Sequence, residues 1–294
     1  MAQVKANNID IEYTVEGNGD PLVLIGGLSM QLIDFPQPFV DLLVGAGFKV
    51  IRFDNRDAGL STEFSGPGMS RRDLVKALAR RPVRSQYTIG DMAADTAGLL
   101  EALDVGPAHV VGMSMGGMIA QELAIGWPDA VSSLTSVMSH TGDKRHGLVD
   151  PKLALKVARL GDPDPSDPAS VREDALQTWR WISGPATDDA LIVAQVETAI
   201  ARSIRVEGTA RQSAAIFASR DRTTALHAVR TPTLVMHGLV DPLVRPSGGV
   251  STAKAVPGAR LLMFPDMGHD LPPTRWEEMV DAIRRNADRA ALPA

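Results

Sequence analysis

The 294-residue sequence predicts an α/β fold: a mostly parallel twisted sheet with helices on both faces and a helical cap inserted after the sixth strand. Three observations carry this. Short apolar, β-branched runs alternate with helical patterns from residue 2 to 138, and the alternation resumes after 230. Between 140 and 227 it stops, leaving several amphipathic helical patterns and no convincing strand. At the centre, Val110-Val111-Gly112-Met113-Ser114-Met115-Gly116-Gly117-Met118 reads as buried strand, tight turn and helix start, with a serine at the apex.

In order, Gln3–Ala6 and Ile9–Tyr13 form an antiparallel pair turning at Asn7-Asn8, and Pro21–Ile25 is a buried strand ending at Gly26-Gly27-Leu28-Ser29. A helix follows over Gln37–Val44 and stops at Gly45; Lys49–Asp54 is the next strand, leading into the polar turn Asn55–Ser61. Residues 62–87 are irregular with a basic helical piece around Ser70–Arg80. Thr88 caps a helix with Asp91 in its first turn and Met92, Thr96, Leu99, Leu100 and Leu103 facing the sheet. His109–Met113 and Val131–Met138 are strands.

Within the cap, Leu153/Val157/Leu160, Val171/Leu176/Trp179 and Leu191/Val193/Val196/Ile200 mark three helices, the first two separated by a Pro/Asp-rich linker at 162–168. Thr231–Met236 and Arg260–Phe264 complete the strands, each ending in a polar loop, His237–Pro242 and Pro265–Asp270. Trp276, Met279, Val280 and Ile283 stripe the closing helix, and the chain beyond Arg285 is expected to fray. The expected division is a core of residues 1–139 and 228–294 and a cap of 140–227.

Bulk composition bounds the function. Apolar content of 44% and charged content of 22% are those of a globular protein, and no run approaches the ~20 apolar residues of a membrane span. A net charge of −5 argues against nucleic acid or an anionic membrane as partner. Zero cysteines exclude disulfides and thiol chemistry. Met1–Lys5 lacks the basic and apolar regions of a secretory signal, so a cytoplasmic location is expected; a homo-oligomer stays open.

In an open parallel sheet, loops at the C-terminal strand ends converge on one edge, where sites form. Four such loops carry the groups of acyl transfer. Ser114 attacks a carbonyl only if a base takes its proton; His269, after the last strand, is placed to do so. Asp241, past the preceding strand, would hold the imidazole's tautomer and charge; Asp143 and Asp266 are rivals less well placed. The tetrahedral intermediate needs two donors, each worth about 3 kcal/mol: the backbone N–H of Met115 and that of Leu28. The other histidines (His109, His140, His146, His227, His237) lack metal-ligand spacing and read as structural or surface residues.

Gly112-Met113-Ser114-Met115-Gly116, Arg52–Ser61, Asp241 and Gly268-His269 together resemble the α/β-hydrolase superfamily over nearly the whole chain. Arg56-Asp57-x-Gly-x-Ser61 and Ser114-Met115-Gly116, with an echo at Trp179-Arg180 and Ser183-Gly184, resemble bacterial esterases of the aclacinomycin methylesterase group. The resemblance implies Ser114 as nucleophile, Asp241 as acid, His269 as base, Leu28 and Met115 as oxyanion donors, and no cofactor or metal. One departure is Gly26-Gly27, where many members have His-Gly; backbone donors survive that change.

The expected function is therefore a serine esterase acting on a small to medium, partly apolar ester through an acyl-enzyme. The same triad would serve a carbon–carbon bond hydrolase, a lactonase or a cofactor-free perhydrolase. A non-catalytic homologue holding a small ligand under its cap is the reading from a different class.

Overall fold

In the computed structural model, residues 1–69, 73, 81, 83–159, 163, 164 and 166–291 are described. Their strands are β1 (Ala2–Ala6), β2 (Ile9–Glu16), β3 (Asp20–Ile25), β4 (Phe48–Phe53), β5 (Ala108–Met113), β6 (Val131–Val137), β7 (Thr233–Gly238) and β8 (Arg260–Phe264). They form one sheet in the order β1-β2-β4-β3-β5-β6-β7-β8. β1 and β2, and β2 and β4, pair antiparallel; every other pairing is parallel. The expected mostly parallel sheet is thus present, with β5, the strand that leads into Ser114, near the middle.

Side-chain alternation divides the core in two. Val23, Ile25, Ala108 and Val110 face a layer built on α2 (Ile89–Ala102) and α3 (Met115–Gly126). Leu22, Leu24, Val111 and Met113 face the opposite layer, where α1 (Gln37–Gly45) contributes Phe39, Val40 and Leu43 and the closing helix contributes Trp276, Met279 and Ile283. Thr88 begins α2 with a reciprocal capping box: its hydroxyl accepts from Asp91 N–H at 3.2 Å, and Asp91 Oδ2 accepts from Thr88 N–H at 2.7 Å.

Between β6 and β7 lie α4 (Pro151–Arg159), α5 (Pro168–Ile182), α6 (Asp189–Arg202), α7 (Val206–Ala218) and the single turn α8 (Thr223–Leu226), with no strand among the described residues. α9 (Ser247–Ala255) separates β7 from β8, and α10 (Trp276–Asp288) closes the chain. The expected basic helical piece at Ser70–Arg80, Leu160 and part of the linker at 162–168 lie outside the described residues, apart from a few positions.

Three features differ from expectation, each for a physical reason. α7 and α9 carry no large apolar stripe. α7 buries Gly208, Arg211, Gln212, Ala214 and Ala215, and α9 buries Gly248, Gly249, Thr252 and Ala255, so small size and hydrogen bonds do the work of hydrophobicity. β7 runs on to Gly238, taking His237 into the sheet rather than the turn. The chain beyond Arg285 is held rather than frayed: buried Asn286 donates through Nδ2 to Leu134 O at 3.0 Å and Pro232 O at 3.2 Å.

That last difference is measurable. Asn286→Ala removes both of these bonds, leaving Pro232 O with only the Leu134 N–H at 2.9 Å, and we expect it to cost about 1–3 kcal/mol in urea unfolding with an unchanged m value. A loss within a few tenths of a kcal/mol would mean the end of α10 is not anchored.

Candidate active site

The site begins with a backbone constraint. Ser114 sits at φ 55°, ψ −117°, a left-handed conformation that costs a non-glycine residue ~1–3 kcal/mol. It is held there by its own N–H donating to Val137 O at 2.9 Å and by its carbonyl starting α3, which accepts from Gly117 N–H at 3.0 Å. The turn closes only because its flanks lack Cβ atoms. One added at Gly112 would lie 2.1 Å from Gly116 O, and one at Gly116 would lie 2.1 Å from Ile25 O. The serine hydroxyl therefore stands at the end of β5, beside the electropositive N-terminus of α3.

Three sequence-predicted residues come together there. Ser114 Oγ is 2.9 Å from His269 Nε2, and His269 Nδ1 is 2.8 Å from Asp241 Oδ2. With Nδ1–H donating to the carboxylate, Nε2 is the acceptor that faces the serine hydroxyl. The other oxygen of Asp241 accepts the N–H groups of Leu243 and Val244, both at 2.9 Å, which fixes the carboxylate's rotation. Burial alone would push Asp241 up; His269 and His237 beside it outweigh that and hold it down to about 2. The rival acids are engaged elsewhere: Asp143 Oδ2 lies 2.6 Å from His146 Nδ1, and Arg275 forks Asp266 at 3.0 and 2.9 Å.

Of the two expected oxyanion donors, Met115 is the first residue of α3 and fully buried, so its N–H has no partner within the helix. The loop carrying Leu28 packs on the serine turn: a Cβ at Gly27 would lie 3.3 Å from Ser114 Cβ. Leu28 itself is half-buried, one residue farther on. Ser29, at φ 60°, donates its N–H to Gln212 Oε1 of α7 at 2.8 Å, so a helix from between β6 and β7 braces this loop. Among the described residues no group of three or more His, Cys, Asp or Glu side chains could hold a metal ion.

Sequence reasoning passed over two features of this edge. His237, fully buried, donates from Nε2 to Val244 O at 2.7 Å and lies 3.5 Å from Asp241 Oδ2, so the carboxylate has an imidazole on each side. The polar turn at 55–61 is buried rather than solvated. Arg56 forks Asp95 at 2.6 and 2.7 Å, and Asp57 takes both Arg211 of α7 at 2.8 and 2.9 Å and the Tyr87 hydroxyl at 2.7 Å. Asp54 accepts Leu32 N–H at 2.7 Å and pairs with Arg202 of α6 at 2.8 Å. A run of charges within a single turn was the signal available. A groove of about 570 Å³ lined by Gly98, Pro107 and Trp127 opens at the opposite sheet edge, away from this chemistry.

The Asp241 environment carries a pH signature. Its carboxyl is lower in the folded chain than the ordinary 3.8, so its ionisation stabilises the fold fully above about pH 4. That contribution, about 2 kcal/mol, drains away as pH falls from about 4 to about 2. The difference in unfolding free energy between the wild type and Asp241→Asn should narrow over that interval; a difference constant with pH would contradict it.

The family model described as the alpha/beta hydrolase fold matches residues 20–274. Rhodomycin D methylesterase DnrP of Streptomyces peucetius is 31% identical, with 94% of this chain and 95% of that protein covered. A 2-hydroxy-6-oxononadienedioate/2-hydroxy-6-oxononatrienedioate hydrolase of Burkholderia vietnamiensis is 25% identical over 84% of this chain and 77% of its own length. The structure of a thermophilic esterase from Thermogutta terrifontis superposes with a TM-score of 0.73 at 24% identity, covering 99% of this chain and all of that one, a likeness of fold. With the family model spanning all but the two ends, and a relative above 30% identity along nearly the full length, the chain belongs to the α/β-hydrolase family.

Proposed function

We propose that the protein is a serine esterase acting through an acyl-enzyme, with Ser114 as nucleophile, His269 as general base and acid, and Asp241 as the group that orients and charges the imidazole. The observation that carries this is the unbroken pair of contacts, 2.9 Å from Ser114 Oγ to His269 Nε2 and 2.8 Å from His269 Nδ1 to Asp241 Oδ2. On attack, the serine proton passes to Nε2 and the imidazolium is stabilised by Asp241. The carbonyl oxygen becomes an oxyanion, received by the N–H groups of Met115 and Leu28. Collapse breaks the ester C–O bond, with Nε2–H protonating the leaving alkoxide. Water, giving its proton to His269, then attacks the acyl-serine and releases the acid.

The methylesterase relatives support an ester, and specifically a methyl ester of a partly apolar acid, as substrate. Residues 140–227 are proposed as the cap, with 1–139 and 228–294 as the core. In support, α5, α6 and α7 reach the loops after β3, β4 and β8 at the serine's edge of the sheet. We take the partner to be the small-molecule ester, with no nucleic acid or membrane and a homo-oligomer still open, and the location to be cytoplasmic. Among the described residues no helix is long and apolar enough to cross a membrane.

Hydrolysis of p-nitrophenyl esters from acetate to dodecanoate, with a methyl arylacetate for comparison, tests the reading. We expect turnover that peaks at one acyl length and falls by on the order of 10⁴-fold or more in Ser114→Ala. No turnover by the folded wild type, or turnover surviving in the variant, would overturn it.

A further inference from the structure

The residue after the base is a buried carboxylate that the chemistry above does not use. Asp270, 2% exposed, accepts the N–H of Gly268 at 2.9 Å and the N–H of Gly184 at 3.1 Å through Oδ1, and the hydroxyl of Thr187 through Oδ2. The one proton of the Thr187 hydroxyl has two acceptors in reach, Asp270 Oδ2 and Gly184 O at 2.7 Å, and the charged acceptor takes it. The first donor belongs to the histidine loop; the other two belong to the connection between α5 and α6. Beside them, His269 N–H itself donates to Ile182 O, the last residue of α5, at 2.7 Å.

The two segments meet backbone to backbone. A Cβ at Gly184 would lie 2.4 Å from Gly268 N, and one at Gly268 would lie 2.4 Å from Gly184 N and 2.5 Å from Ile182 O. α6 starts directly after this junction, capped by Asp188 Oδ1 on the N–H groups of Ala190 and Leu191 at 3.0 and 3.1 Å. Fourteen residues and about 21 Å later it ends on the loop after β3. There Gln31 Nε2 donates to Ala199 O at 2.8 Å and Ser203 O at 3.1 Å, and Arg202 donates to Gln31 Oε1 at 2.6 Å. One helix is thus pinned at its N-terminus to the loop of His269 and at its C-terminus to the loop of Leu28.

We propose that Asp270 is a positioning residue for His269. Through Gly184 and Thr187 it locks the histidine loop to α6, so that the base and the oxyanion loop are held in register by a single strut. The proposal rests on the assignment of His269 as base. It makes α6 a fixed member of the site and not a lid that swings clear of it. Asp270→Ala removes the acceptor of all three donors, whereas an amide there would keep them, its NH₂ donating to Thr187 Oγ while that hydroxyl turns to Gly184 O. Val at 187 removes one donor and keeps the shape, and Ser at 187 restores it.

The test compares wild type, Asp270→Ala, Thr187→Val, Thr187→Ser and Ser114→Ala. Each is read by kcat and KM on the best p-nitrophenyl ester and by the low-field NMR resonance of the His269 Nδ1 proton without substrate. We expect Asp270→Ala to lower kcat on the order of 10²-fold with KM little changed, and to broaden that resonance. Thr187→Val should lower kcat about tenfold, with Thr187→Ser close to wild type. If Asp270→Ala does not fold, Thr187→Val against Thr187→Ser decides. Wild-type kcat and an unchanged resonance in Asp270→Ala and Thr187→Val, with Ser114→Ala inactive, would overturn the proposal; so would Thr187→Ser falling as far as Thr187→Val. Turnover surviving in Ser114→Ala would instead overturn the esterase reading, and the resonance would still report on Asp270.

Discussion

The turn at Ser114 is where sequence, fold and chemistry meet. A non-glycine residue at φ 55° is unfavourable on its own, and the chain sustains it by packing β5, β3 and α3 closer than side chains allow. Gly112 and Gly116 permit that approach, and Val137 in the neighbouring strand takes the serine's N–H. The strain has a consequence. It lifts the hydroxyl off the sheet to meet an imidazole delivered by a strand three places away in the order β5-β6-β7-β8. Release of the turn would move the hydroxyl away from His269 Nε2, even with every side chain still present.

Around that turn the sheet edge is stitched by buried charge. Asp54 with Arg202, Asp57 with Arg211, and Arg56 with Asp95 are all desolvated pairs. Such pairs add little net stability over apolar packing, but removing one partner costs ~3–5 kcal/mol because the other is stranded. The first two specify how the helices between β6 and β7 sit, and the third ties the loop after β4 to α2. Arg202 and Arg211 each find a carboxylate on the loop after β4, and Gln31 and Gln212 tie α6 and α7 to the loop after β3.

What the sequence made legible follows from the kind of interaction involved. Strands such as Pro21–Ile25 and His109–Met113 were readable because burial on both faces demands continuous apolar residues. Thr88 with Asp91 was readable because capping is local. Ser114, Asp241 and His269 could be named because topology alone sends their loops to one edge. The hidden elements are those whose stabilising contacts are neither local nor apolar. α9 buries Gly249 against His237, where a Cβ would lie 2.6 Å from the ring nitrogen, and Gly248 against Gly147 and His140. Asn286 looks like a polar helix end until its two carbonyl partners on other elements are seen. Asp270 looks like a loop aspartate, and its partners Gly184 and Thr187 lie more than 80 positions away.

The central claim is that this geometry makes one serine a nucleophile. Peptide mapping by mass spectrometry after exposure to a fluorophosphonate, for the wild type and for His269→Ala, addresses it directly. The account predicts a single adduct on Ser114 in the wild type, formed ~10²–10⁴-fold more slowly once the imidazole is gone. Labelling at another residue, or labelling of Ser114 equally fast in the variant, would contradict it.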